Sequence, residues 1–395
     1  MNRLQQLHDA GVSIWLDTLS RELLDTGAFA QLIAGSAVTG ATSNPTIFAK
    51  AITGSDRYDD QLRAAVETGL REPRELFFAL ALEDVRRAAD LLRPTYDASA
   101  GRDGFVSFEC TPDLADDTAG TIGQARELWT RLARPNVMIK VPATEAGVPA
   151  IEELTACGIN VNVTLLFSVA RYEQVMDAYL AGLERRLRAG DPIGGIASVA
   201  SFFVSRVDAK VDAVLPAGSE LRGRVAIANA RLAYARYRDR FTGARWRALR
   251  AGGARPQRPL WASTATKDPA YSDVLYVEEL IAPGVVNTMP EATLRAFADH
   301  GTVAGAFPPD SREPEETLGR ARDAGVDLDA VTAALEREGV RSFCDAYRDI
   351  LTCLRDRAHP SGPHASASPA LTSGGAQRAR PRARPGTRRR RAPSG

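Results

Sequence analysis

This chain of 395 residues is poor in the residue types that several function classes need. It has four cysteines, Cys110, Cys157, Cys344 and Cys353, and no two of them form a Cys-x-x-Cys pair. Scattered thiols argue against a disulfide framework and fit a reducing, cytoplasmic setting. The four histidines lie in no ligand spacing, so no zinc site is expected. No run reaches the roughly 18 apolar residues of a membrane span. The opening stretch, "MNRLQQLHDAGVSIWLD", lacks the apolar core of a signal peptide. No Gly-x-Gly-x-x-Gly follows the first apolar run and no phosphate-binding P-loop occurs, which removes the common nucleotide fingerprints. Neither a cofactor nor a metal is expected, and no membrane partner.

One segment lacks acids and aromatics altogether. Residues 358–395 contain eight arginines and no Asp or Glu. Removing those eight charges from a net +1 leaves −7 for the rest, so the body is mildly acidic. A segment of Pro, Gly, Ser, Ala and Arg buries too little apolar surface to offset its ordering entropy, and we expect it to be disordered. A nucleic-acid-binding arm is the alternative. The arginines are not interleaved with aromatic stacking residues, which argues against nucleic acid as a partner. Residues 1–357 then form the folded body and 358–395 a tail.

The body has the composition of a globular domain, with 44% hydrophobic and 25% charged residues in the whole chain. Eight short runs rich in Val, Ile, Phe and Thr suit buried strands: 13–17, 37–44, 104–109, 136–142, 159–167, 196–204, 258–264 and 285–290. Amphipathic stretches separate them. "TIGQARELWTRLA" places Ile122, Ala125, Leu128 and Leu132 on one helical face. "SVARYEQVMDAYLAGLERRL" repeats the pattern behind Ser168 as N-cap. The longer spacers 46–103 and 206–257 hold extra helices. Strands alternating with helices imply parallel pairing. Eight of them fit an α/β fold, a (β/α)8 TIM barrel; a doubly wound open sheet is the rival.

In such a barrel, chemistry sits at the C-terminal strand ends. Polar residues gather there: Asp17, Asn44, Glu109, Lys140, Asn162 with Thr164, Ser201 with Arg206, and Ser263. Lys140 lies in the apolar run "NVMIKVPAT". A lysine with its reference pKa of about 10.4 offers a free amine in roughly one molecule in a thousand at neutral pH. Apolar surroundings lower such a pKa, and each unit gains about tenfold in free amine. A free amine there attacks a ketone to form a Schiff base, an electron sink that permits C–C cleavage. The alternative is a structural salt bridge with Asp17 or Glu109. Two carboxylates suit two proton-transfer tasks, one on a substrate hydroxyl and one on water leaving the carbinolamine. An N-cap role is the alternative for each acid, most plainly for Asp17 before "TLSRELL". Arg206 and Ser201 suit phosphate oxygens, with Lys267 adding charge. A salt bridge to Asp208 or Asp212 is the alternative for Arg206, and a plain surface lysine for Lys267.

Six segments in order, "SIWLDTLSR", "ATSNPTIF", "VSFECTPDLADDT", "VMIKVPAT", "GINVNVTLLFS" and "SFFVSRVD", resemble the transaldolases in their bacterial long-chain form. The resemblance runs from about residue 5 to about residue 357. It implies a class I aldolase barrel that moves a dihydroxyacetone unit between ketose and aldose phosphates, as in the pentose phosphate pathway. It implies Lys140 as the Schiff-base lysine and Asp17 as the acid–base for C–C cleavage. Glu109 and Thr164 match the pair that holds the catalytic water. Asn44 and Asn162 match residues that bind the dihydroxyacetone hydroxyls. Ser201 matches a position near the substrate. Arg206 and Ser263 match phosphate contacts. Where many relatives carry an arginine two residues after the counterpart of Ser263, this chain has Ala265; either Lys267 substitutes or the phosphate is held differently. A related aldolase that releases the three-carbon unit, such as a fructose-6-phosphate aldolase, is the enzymatic alternative. Monomer and homodimer both stay open.

Overall fold

A computed structural model describes residues 2–358. Eight parallel strands close into a barrel in chain order. They are β1 (Ser13–Leu16), β2 (Val38–Thr42), β3 (Val106–Glu109), β4 (Val137–Pro142), β5 (Val161–Leu166), β6 (Ser198–Phe203), β7 (Arg258–Ala262) and β8 (Val286–Met289). Each lies inside one of the eight expected runs and is one to three residues shorter in all. β8 pairs with β1, so no edge is left open. Every strand residue except Arg258 is buried, as parallel strands covered by helices require.

The helices form where the caps and periodicity put them. Ser168 accepts from the Arg171 amide at the head of Val169–Arg188. Asp117 does the same for Gly120 ahead of Thr118–Leu132. The spacer after β2 holds three helices, Pro45–Thr53, Asp59–Glu67 and Pro73–Ala98. Among the described residues no helix is long and apolar enough to cross a membrane. The tail from residue 359 lies outside the described residues. Ala358, placed in the tail by sequence, is instead the buried last residue of the closing helix Leu328–Ala358.

That closing helix has 31 residues and is about 46 Å long at 1.5 Å per residue. It packs on the helix Pro45–Thr53, the 3-10 turn Pro112–Leu114, the helix Ser205–Val211 and β5. The first three follow β2, β3 and β6, so the closing helix crosses the C-terminal mouth of the barrel. Arg357 ties its end to the Ile52 and Ser55 carbonyls at 3.0 and 3.2 Å. Lys210 grips Glu338 at 2.7 Å near its middle.

The opposite end is closed by Trp15, whose ring fills the space over Gly40. A Cβ at Gly40 would sit 2.5 Å from the indole. The indole N–H donates to Asp103 at 2.8 Å, and the Ser13 hydroxyl donates to the same carboxylate. Below them lies a mostly apolar cavity of about 530 Å³ bounded by Val12, Phe105, Met138 and Val199. Gly40→Ala is expected to lower the unfolding free energy by about 1–3 kcal/mol through overpacking. Chemical denaturation reads this directly, and an unchanged midpoint would mean that Trp15 yields without loss.

Candidate active site

Strand register assembles the centre of the site. Glu109 is the partner of Lys140 between β3 and β4, and Lys140 the partner of Asn162 between β4 and β5. Partners in a parallel sheet share a face, so the three side chains stand side by side. Lys140 is 5% exposed. Its Nζ donates to Glu109 Oε2 at 3.1 Å and to the Ser43 carbonyl at 3.2 Å. Burial raises the Glu109 carboxyl pKa, against the pull of the adjacent Lys140 charge. The salt bridge considered from sequence therefore exists. A buried pair of this kind brings little net stability, because desolvation offsets its attraction.

Asn162, on β5, links β3 and β6 through the barrel interior. It donates through Nδ2 to Ser107 Oγ at 2.8 Å and accepts from the Ser201 hydroxyl at 2.8 Å. Thr164 lies two residues further up β5, and its buried hydroxyl has no hydrogen-bond partner among the described residues. The next residue, Leu165, has a left-handed φ of 58°, and the β5–β6 register shifts there. Such a backbone is strained for a residue with a side chain. Ser263, just beyond β7, has a φ of 57°. Its hydroxyl pairs with that of Ser205 at 2.9 Å.

Asp17 directly follows β1 and keeps part of its surface open. It caps no helix; Ser20 caps Arg21–Asp25 by accepting from Leu23. Burial around its carboxyl raises the pKa to about 6, opposed by the charges of Lys140 and Lys267 and by the Thr18 hydroxyl. Both lysines therefore act on this one carboxylate.

The remaining candidates surround this centre. Asn44 caps Pro45–Thr53, its side-chain oxygen accepting from Ile47 at 3.0 Å, which leaves its amide NH2 for other work. The Arg206 guanidinium lies 5.1 Å over the Phe203 ring, and burial pulls its pKa down. Among the described residues no carboxylate lies within salt-bridge distance of it. The two acids considered as its partners are engaged elsewhere. Asp208 accepts from the Ala226 amide and the Tyr276 hydroxyl at 2.7 and 2.9 Å. Asp212 accepts from the Gly223 amide and the Tyr271 hydroxyl at 3.2 and 2.7 Å. Lys267 is exposed, and lines a cavity of about 370 Å³ with Ser205, Arg222 and Tyr271.

Known proteins resemble this chain over most of its length. A profile of the transaldolase/fructose-6-phosphate aldolase family matches residues 14–354. The chain belongs to this family. A transaldolase of Parafrankia sp. is 52% identical over 360 residues, covering 90% of this chain and 97% of that protein. Transaldolases of Acidothermus cellulolyticus and Frankia alni are 54% and 50% identical over 356 and 367 residues. They cover 89% and 91% of this chain and 95% and 99% of their own lengths. An enzyme that transfers aldehyde or ketone groups is the class that these relatives support.

In this member of the transaldolase family, sequence reasoning missed three contributors. Ser107 stands two residues before Glu109 on β3, and period-two alternation places it on the same face. Ser43 acts through its backbone carbonyl, which no side-chain reading finds. Phe343 comes from the closing helix, and its ring centre lies 5.8 Å from Lys140 Nζ. No local signal connects residues 203 positions apart.

The raised Asp17 pKa has a consequence for stability. The folded protein holds this proton more tightly than the unfolded chain does, so the acid's contribution is favourable at low pH. It is lost as pH rises from 3.8 through about 6. Asp17→Asn is expected to stabilise the protein at pH 7.5 by about 1–3 kcal/mol, falling to a few tenths near pH 4. Denaturant titrations at the two pH values measure it. An equal gain at both would show that the charge is not responsible.

Proposed function

We propose that the chain is a transaldolase in which Lys140 carries a dihydroxyacetone unit as a Schiff base between sugar phosphates. The observation that carries this is the Lys140 amine, buried beside Glu109 in the C-terminal half of a closed barrel. Glu109, kept basic enough by burial to accept a proton, takes one from the ammonium at 3.1 Å. The free amine adds to C2 of a ketose phosphate, such as fructose 6-phosphate or sedoheptulose 7-phosphate. The resulting carbinolamine loses water to give an iminium. Glu109 and the otherwise unpartnered Thr164 hydroxyl are suited to hold that water.

Asp17 then takes the proton of the C4 hydroxyl. The C3–C4 bond breaks, the aldehyde forms, and the electron pair moves into the iminium to give an enamine on Lys140. A raised pKa of about 6 suits an acid–base that must accept and return a proton near neutral pH. The aldose phosphate, such as erythrose 4-phosphate or glyceraldehyde 3-phosphate, leaves and another takes its place. C3 attacks the new aldehyde, its oxygen takes the proton back from Asp17, and hydrolysis of the iminium frees the product. Asn44 and the Ser107–Asn162–Ser201 chain suit the hydroxyls of the three-carbon unit.

Arg206, Ser263 and Lys267 suit the phosphate. Arg206 supports this best, as a partly buried guanidinium with no acid partner among the described residues, at the end of β6. Lys267 supplies charge without the bidentate fork of arginine, which fits the position where Ala265 offers none. Four free thiols agree with a cytoplasmic setting.

Borohydride reduction with fructose 6-phosphate is expected to leave a phosphate-free three-carbon adduct on Lys140, located by peptide mass. An adduct elsewhere would move the nucleophile. Lys140→Ala is expected to abolish transfer and trapping while keeping the fold. Asp17→Asn is expected to slow transfer by about 10²–10⁴-fold and still allow slow trapping; lost trapping with intact cleavage would exchange the roles of the two acids.

A further inference from the structure

We propose that Phe343, on the closing helix, decides whether the three-carbon unit on Lys140 is transferred or lost to water. This inference rests on the Schiff-base reading above. The Phe343 side chain is 3% exposed, and its ring centre stands 5.8 Å from Nζ. Nothing in the barrel strands themselves supplies this ring; it is brought in across the mouth.

Its position is tightly held. Gly339, one helical turn earlier, lies against Leu165, the strained residue next to Thr164. A Cβ at Gly339 would come within 2.8 Å of the Leu165 side chain, so the helix sits as low over β5 as it can. Cys344 donates to the Pro112 carbonyl at 3.4 Å, just past Glu109 in sequence. The Tyr347 ring meets Phe77 edge-on at 5.6 Å. Contacts on both sides of Phe343 therefore fix its height above β3, β4 and β5, the strands that carry Glu109, Lys140 and Asn162.

The chemistry that needs a wall here is the enamine left after C3–C4 cleavage. It has two fates. In transfer, the C3 electron pair forms a bond to the carbonyl carbon of the acceptor aldehyde, and the aldehyde oxygen takes a proton. In loss, C3 takes a proton from water or a hydrated acid. The resulting iminium then adds water at C2, the C–N bond breaks, the amine of Lys140 is freed and dihydroxyacetone departs. Both routes balance without any further reagent, and they diverge only in whether water reaches C3. An aromatic ring held over the nitrogen occupies volume that water would otherwise fill. The acceptor still has a way in, since Arg206 and Lys267 attract its phosphate. The family description itself joins a transferase with an aldolase, so this partition is open within the fold.

The experiment uses the full chain with Phe343→Ala and Phe343→Leu. Fructose 6-phosphate is supplied with and without erythrose 4-phosphate. Free dihydroxyacetone released is compared with sedoheptulose 7-phosphate formed. The ratio of release to transfer is expected to rise about tenfold in the alanine variant and about threefold in the leucine variant, a change of one ordinary barrier increment. The borohydride adduct on Lys140 is expected to persist in both. If both activities fall together and the ratio stays within twofold, Phe343 only supports the fold and the proposal is overturned. If the alanine variant fails to fold, as judged by circular dichroism, the leucine variant decides: an unchanged ratio overturns the proposal. Absence of any adduct in the parent protein would overturn the Schiff-base reading itself, a result distinct from an unmoved ratio.

Discussion

The Lys140–Glu109 contact is the constraint around which the barrel is arranged. An ammonium and a carboxylate in a nearly dry interior tolerate little displacement, because each is the principal compensation for the other's lost water. Strand register sets their separation. β3, β4 and β5 must align so that Glu109, Lys140 and Asn162 are neighbours. The helices that cover the barrel from outside hold that alignment. The Ser43 carbonyl then fills a second donor position of the amine. Its own place is set by the turn into the helix that Asn44 caps. A capping interaction, ordinary in itself, thus bears on the geometry of the Lys140 amine.

Asp17 adds a second level of control. It is close enough to feel both Lys140 and Lys267, yet burial outweighs them and keeps its carboxyl readily protonated. Two cations of different origin converge on one acid: one buried on a strand, one exposed on a loop. Any anion close to Lys267 would weaken that field, and the Asp17 carboxyl would then hold its proton more tightly, without any moving part.

Much of this was legible in the sequence. All eight strands fall within the apolar, β-branched runs, since parallel strands buried on both faces read as continuous hydrophobic stretches. Polar residues at the ends of those runs are conspicuous for the same reason, and Asp17, Glu109, Lys140 and Asn162 stand out. Strand ends were less legible, because the last residues of a run take part in caps and turns: Asn44 reads as strand and acts as an N-cap. Pairing was least legible. That Arg206 is left without an acid among the described residues follows from tyrosines and backbone amides of other segments claiming Asp208 and Asp212. That Phe343 reaches Lys140 follows from the path of a 31-residue helix.

The packing of Trp15 against Gly40 makes this end of the barrel intolerant of added volume, since a Cβ at Gly40 would sit 2.5 Å from the indole. The indole in turn donates to Asp103, which also accepts from the Ser13 hydroxyl. One carboxylate thus anchors both the plug and the first residue of β1, so losing it would loosen two strands' worth of packing at a single stroke.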